Sequence, residues 1–183
     1  MSRTIRAALA VGAGVAALIG GVTPAHAQGS TPVAAVPAGE TIVQLKVVHS
    51  GKCLDIDRAR TENGVRARQW DCNGTAAQQW RVIPTDNSSF ELRVVASGKC
   101  LEVENSGTQW GAAVQQWTCT GGKQMRWRAV LVDQPRKLFQ LRPTHTDGRC
   151  LDVDRAMKEN GALAQQWECN QTEAQLWQFE PVR

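Results

Sequence analysis

The sequence is poor in the side chains that most enzyme sites require. It has three histidines, of which His26 lies in the N-terminal apolar segment, leaving His49 and His145 for the rest of the chain. No G-x-S-x-G, H-E-x-x-H or phosphate-binding G-x-x-x-x-G-K-[ST] motif occurs. A glycosidase needs only two carboxylates, so the acids alone do not exclude one, but nothing else points to catalysis, and we expect no enzyme and no cofactor. The six cysteines include no C-x-x-C pair and have no histidine at ligand spacing, which argues against zinc. Strong charge is also lacking. The formal net charge is +4, and +2 without Arg3 and Arg6, too balanced to indicate nucleic acid or an anionic membrane as partner.

The N-terminus supplies the one long apolar run. Arg3 and Arg6 precede Ala7 to Val22, and Ala25-His26-Ala27 follows as a small-x-small cleavage site. This is the order of a secretory signal peptide over residues 1–27, and it predicts an extracellular protein beginning near Gln28. The run is short against the roughly 20 residues of a spanning helix, so no membrane insertion is expected. Residues 28–41, rich in Pro, Ala and Gly, form a tail or linker. The remaining chain, 42–183, is the size of one domain.

That domain says nearly the same thing three times. CLDIDRARTENGVRARQWDC (53–72) returns as CLDVDRAMKENGALAQQWEC (150–169), with a looser copy, CLEVENSGTQWGAAVQQWTC, at 100–119. The pairs Cys53/Cys72, Cys100/Cys119 and Cys150/Cys169 share a separation of 19 residues. One local disulfide per copy is therefore the economical pairing among the possible ones, in keeping with export. A strand-like run precedes each copy (from Val43, Phe90 and Phe139), and Trp80, Trp127 or Trp177 follows it. Within the copies Leu54/Ile56, Leu101/Val103 and Leu151/Val153 alternate with polar residues. Asn63-Gly64 and Asn160-Gly161 predict type I′ hairpin turns; in the middle copy Trp110 takes the Asn position. Units of about 40 residues made of strands cannot bury an apolar face alone, but three can close around a pseudo-threefold axis. A propeller normally needs at least four blades, and no solenoid caps are visible. Lobe boundaries fall at about 42–86, 87–134 and 135–183. Three Asn-x-Ser/Thr sequons, at Asn73, Asn87 and Asn170, matter only in a glycosylating host.

Cys-Leu-Asp, then Gln-x-Trp-x-Cys, then Gln-x-Trp, in three in-phase copies, resembles the ricin B-chain-type lectin family, whose bacterial members are also classed as carbohydrate-binding modules. The resemblance covers about Ile42 to Arg183. It implies an all-β fold, a β-trefoil of twelve strands in three lobes, with one intra-lobe disulfide in each. It also implies that Trp80, Trp127 and Trp177 pack the core, and that Trp70, Trp117 and Trp167 are the aromatics of sugar sites. A pyranose presents a face of C–H groups that a ring can stack on, while its hydroxyls reach sideways to polar groups. The carboxylates at the family position are Asp55, Glu102 and Asp152, each able to accept from neighbouring hydroxyls. Gln115 and Gln165 lie two residues before their tryptophans and could donate to the same sugar; Arg68 stands there in the first copy.

The sequence departs from the family pattern at Ala77, Gln124 and Ala174, where functional sites usually carry Asn before the last Gln-x-Trp. Gln78 and Gln175 are kept, and Met125 replaces the Gln in lobe two. The expected carbohydrate sites are therefore lobe one (Asp55, Trp70, Gln78) and lobe three (Asp152, Gln165, Trp167, Gln175), with Glu102, Gln115 and Trp117 as a weaker site. Competing assignments are that Asp55 and Asp152 cap turns or pair with Arg58 and Arg155, or that Asp55/Asp57 and Asp152/Asp154 hold a metal. Two carboxylates make a poor calcium site, so no metal is expected. The resemblance suggests galactose-containing or xylan-like glycans as partners. The alternative is a sugar-inactive trefoil that binds protein or inhibits a protease.

Overall fold

The computed structural model describes residues 41–86 and 88–182. The expected signal peptide, nearly all of the expected tail and the Asn87 sequon lie outside these residues. Twelve strands follow one another: β1 (Thr41–Val47), β2 (Cys53–Ile56), β3 (Ala67–Trp70), β4 (Trp80–Pro84), β5 (Phe90–Val94), β6 (Cys100–Val103), β7 (Val114–Trp117), β8 (Arg126–Asp133), β9 (Leu138–Pro143), β10 (Arg149–Val153), β11 (Ala164–Glu168) and β12 (Trp177–Pro181). Helix among the described residues is confined to single 3-10 turns. Strands β1, β4, β5, β8, β9 and β12 pair in that cyclic order and close a barrel. Hairpins β2–β3, β6–β7 and β10–β11 sit together and are bridged at Arg66/Gln115, Ala113/Gln165 and Leu163/Arg68. This is the expected β-trefoil.

The disulfides pair as the repeat predicts: Cys53 with Cys72, Cys100 with Cys119 and Cys150 with Cys169. The two ends of each bridge differ in placement. Cys53, Cys100 and Cys150 stand on strands β2, β6 and β10 and are fully buried. Cys72, Cys119 and Cys169 come just after the ends of β3, β7 and β11, where Cys72 is exposed and Cys119 and Cys169 are half-buried. Each bridge therefore pins the open end of a hairpin to its own first strand.

Period-two patterning builds the barrel. On β1, Val43, Leu45 and Val47 are buried while Gln44 and Lys46 face outward. Trp80, Trp127 and Trp177 are fully buried in the core. Each indole N–H donates to the carbonyl of Leu54, Leu101 or Leu151, at 3.1, 3.0 and 3.1 Å, so the large ring is buried without orphaning its donor.

The turns differ from the expectation. Asn63-Gly64 and Asn160-Gly161 are not type I′ hairpins: Gly64 (φ 83°) and Gly161 (φ 91°) are left-handed, but neither asparagine is. Consecutive left-handed pairs come earlier in each connection, at Arg58-Ala59, Asn105-Ser106 and Arg155-Ala156. The asparagines are kept for their amides. The Asn63 Oδ1 accepts the Thr118 N–H at 3.0 Å, and the Asn160 Oδ1 accepts the Asp71 N–H at 2.9 Å. Each turn thus docks on the neighbouring lobe.

Buried glutamines complete these seams. The Gln69 amide donates to the carbonyls of Met157 and Glu159, Gln116 to Arg60 and Glu62, and Gln166 to Gly107 and Gln109. The two histidines serve here as well: His49 Nε2 donates to the Met157 carbonyl and His145 Nε2 to that of Gly107, both at 2.9 Å.

Candidate functional site

The hairpin register brings the expected residues together. In lobe three Asp152 is directly opposite Gln165, and Cys150 is opposite Trp167. Residues two apart on a strand share a face, so carboxylate, amide and aromatic are delivered side by side by one short hairpin. The same pairing recurs as Asp55/Arg68 with Cys53/Trp70, and as Glu102/Gln115 with Cys100/Trp117.

The cysteines frame these groups and are not ligand-facing members of them. Cys72 and Cys169, two residues beyond Trp70 and Trp167, are committed to their disulfides. The Cys169 N–H donates to the Gly148 carbonyl at 3.0 Å, which ties the exit of β11 to the entry of β10. Their part is to fix the strand ends that carry the aromatic rings.

Lobe three is held by amides alone. Gln165 Nε2 donates to Asp152 Oδ1 at 2.9 Å, and Gln175 Nε2 donates to Oδ2 at 3.0 Å. Gln175 is fully buried and also joins the Asn170 N–H and the Glu168 carbonyl, so it positions the acid from behind. Each carboxylate oxygen keeps acceptor capacity. Trp167 is half-buried beside it.

Lobe one has the same frame with a different filling. Gln78 Nε2 donates to Asp55 Oδ2 at 3.2 Å from a fully buried position. Arg68, however, donates from Nε to Asp55 Oδ1 at 2.9 Å and reaches Asp57 through Nη1 at 2.5 Å. Its guanidinium carbon stands 4.2 Å from the centroid of the Trp70 ring. The cation paired with Asp55 is therefore Arg68 and not Arg58. Arg58 reaches only Asp57, and Arg155 only Asp154, each at 4.0 Å. Asp55 and Asp57 share one guanidinium, which leaves them poorly suited to a metal ion. Among the described residues the one cluster of metal-ligand type is Glu91, Cys100 and Cys119, and both cysteines are consumed in a disulfide.

In lobe two Gln115 Nε2 donates to Glu102 Oε1 at 3.0 Å, and Gln124 lines the same pocket as Glu102. Elsewhere Gln78 and Gln175 supply a second amide to the acid. Met125 is buried in their place. Its sulfur accepts the Thr120 N–H at 3.4 Å, as the Gln78 and Gln175 oxygens accept Asn73 and Asn170. Ala77 and Ala174 are buried.

Residues 33–117 match a domain described as ricin-type beta-trefoil lectin domain-like, and residues 88–183 match the ricin-type beta-trefoil lectin domain. The chain belongs to the ricin-type β-trefoil lectin domain family. A designed threefold-symmetric protein, ThreeFoil, is 33% identical, with a TM-score of 0.73 over 77% of this chain and 99% of its own. An exo-β-1,3-galactanase from Clostridium thermocellum is 27% identical, with a TM-score of 0.74 over 80% of this chain but 31% of its own, so this lectin domain spans under a third of that enzyme. The Rhizoctonia solani agglutinin shares the fold at 22% identity, with a TM-score of 0.71 over 80% of this chain and 99% of its own. The lectin family supports carbohydrate binding in general.

Burial dominates the electrostatics of the lectin domain's three carboxyls. Desolvation raises the pKa of Asp55, Glu102 and Asp152 above the ordinary carboxylate range, and the amide bonds described above oppose it only in part. For Asp55 the main opposition comes from Arg68. The lobe-two residues Glu102, Asn105, Trp117, Thr120, Gln124 and Met125 line an open pocket of about 210 Å³. Trp117 forms one wall and is 39% exposed. Sequence reasoning missed the role of Arg68. The signal was present in the repeat, because Arg68 aligns with Gln115 and Gln165 across the hairpins.

Proposed function

We propose that this protein is exported and binds glycans without catalysis, chiefly at lobe three. The sugar stacks on Trp167, and its hydroxyls donate to Asp152 and meet the Gln165 amide. One observation carries the choice of lobe. Among the described residues no lysine or arginine pairs with Asp152, whereas Arg68 occupies both the carboxylate and the ring in lobe one. The lobe-two pocket, with Glu102, Gln115 and Trp117, serves as a second and weaker site. Two shallow sites on one rigid domain gain by avidity on a polymer or a cell surface. Galactose-containing and xylan-like polymers are the first ligands to examine, the former supported by the galactanase neighbour. Three disulfides fit an oxidising, extracellular setting.

The test is binding of the folded protein to immobilised glycans and insoluble polysaccharides, with competition by free sugar, beside Asp152→Ala and Trp167→Ala. Competable binding lost in both variants supports the reading. Folded wild-type protein that binds none of the glycans sinks it and redirects the search to protein partners.

A further inference from the structure

The seam between lobes two and three differs from the other two. At the equivalent turns, Asn63 and Asn160 lock the neighbouring lobe by accepting the N–H groups of Thr118 and Asp71. At the third turn the residue is Trp110, which cannot make that bond and leaves its ring 54% exposed. The fold gives up a hydrogen bond and presents a large apolar face to water, both unfavourable for stability. The turn keeps its backbone bond: the Gly111 N–H donates to the Gln166 carbonyl at 2.9 Å, as Gly64 and Gly161 do to Gln116 and Gln69, while the hairpin it docks on is one pair longer than the other two, with Arg149 opposite Glu168. What distinguishes this turn from the other two is therefore a large ring, more than half exposed, where they carry a seam-locking amide.

Its surroundings suggest a purpose. The Trp110 and Trp167 ring centroids are 5.7 Å apart, with the planes inclined at 43°. The adjoining Gly111 is close to the acid's partner: a Cβ placed there would stand 3.6 Å from Gln165 Oε1 and 3.7 Å from Trp167 Cζ3. The Arg149 guanidinium carbon is 5.8 Å from the Trp110 centroid, and Arg149 is held by an Nε bond to the Thr108 carbonyl at 3.3 Å. A second aromatic face, edged by N–H donors, therefore adjoins the Asp152–Gln165–Trp167 group across the seam.

We infer that Trp110, with Arg149 at its edge, forms a second sugar subsite next to the lobe-three site, so that this site takes two contiguous sugar units of a chain. The inference rests on the lobe-three reading above. The first unit sits on Trp167 and Asp152. The next stacks on Trp110, with Arg149 donating to its ring substituents. The site then distinguishes an oligosaccharide from its monosaccharide, which a single stacking ring does not do.

The experiment is calorimetric titration of wild type, Trp110→Asn and Trp110→Phe with galactose, β-1,3-galactobiose, xylose and xylotriose. Trp110→Asn restores the residue of the other two seams and is expected to fold at least as well as the wild type. The expected result is an affinity for the oligosaccharide about tenfold above that for its monosaccharide. That advantage should be lost in Trp110→Asn, with monosaccharide affinity unchanged, and largely kept in Trp110→Phe. An oligosaccharide advantage that persists in Trp110→Asn, or is absent from the wild type, overturns the second subsite while leaving glycan binding intact. Folded wild type that binds none of the sugars overturns both.

Discussion

Arg68 lies over the ring of Trp70, its guanidinium carbon 4.2 Å from the ring centroid. The same guanidinium binds Asp55, so one internal cation takes the place of both the C–H face and the hydroxyls of a ligand. Arg68→Gln gives lobe one the amide that Gln165 gives lobe three. We expect Asp152→Ala to lose most glycan binding and Asp152→Ala/Arg68→Gln to recover part of it, measured on the same immobilised polysaccharide. A double variant as inert as the single one would mean that Arg68 is not what closes lobe one.

Binding should weaken toward acid, and sooner than an ordinary aspartate would make it. The proposed contact uses ionised Asp152, whose pKa is raised by burial, so affinity is expected to fall as pH descends through that raised value. Stability runs the other way for this group. A folded-state pKa above the unfolded one makes a contribution that is full below the unfolded value near 3.9 and is lost as pH rises through the folded value. Relative to Asp152→Asn, the wild type should therefore gain thermal stability as the solution is acidified while it loses ligand. Titrations and melts across that range test both slopes.

Lobe three carries a small defect that can be repaired. The Ser50 and Ser97 hydroxyls donate to the buried amide oxygens of Gln69 and Gln116 at 2.7 and 2.8 Å. Asp147 stands at the matching place before Cys150, and the Gln166 Oε1 is buried without a partner. Asp147→Ser supplies the missing donor. It should stabilise the fold by about 1 kcal/mol in chemical denaturation, with no change in glycan affinity.

The buried indoles predict a loss instead. Trp127→Phe leaves the Leu101 carbonyl without its donor in a sealed core. The expected cost is about 1–3 kcal/mol, read from the denaturant midpoint.

The fold was legible because the repeat is written in features that a β-trefoil needs at fixed intervals. Cysteines at one spacing, alternating Leu-x-Ile/Val and a following Trp announce hairpin, barrel and core. The turns were misjudged because Asn-Gly is a local hairpin signal, and here the asparagine bonds to another lobe, which no local rule sees. The sites were half legible. Asp55, Glu102 and Asp152 stand on the hairpins that carry their tryptophans, as the register requires, but Arg68 in lobe one reaches across to two carboxylates and a ring at once. A side chain of a different length and charge arrives where the other lobes have an amide, and only three dimensions show which atoms it meets.

The seams have a consequence for how such a protein could arise. A Cβ added at Gly64, Gly111 or Gly161 would lie 3.7–3.8 Å from Trp117, Trp167 or Trp70 of the next lobe, so each aromatic rests on a turn that belongs to another repeat. A single unit cut from the ring would keep its own carboxylate and aromatic on one hairpin but would lose the turn on which that aromatic rests. Ring closure thus does for the last copy what each neighbour does for the one before it: it sets a floor beneath a ring that the copy cannot support alone.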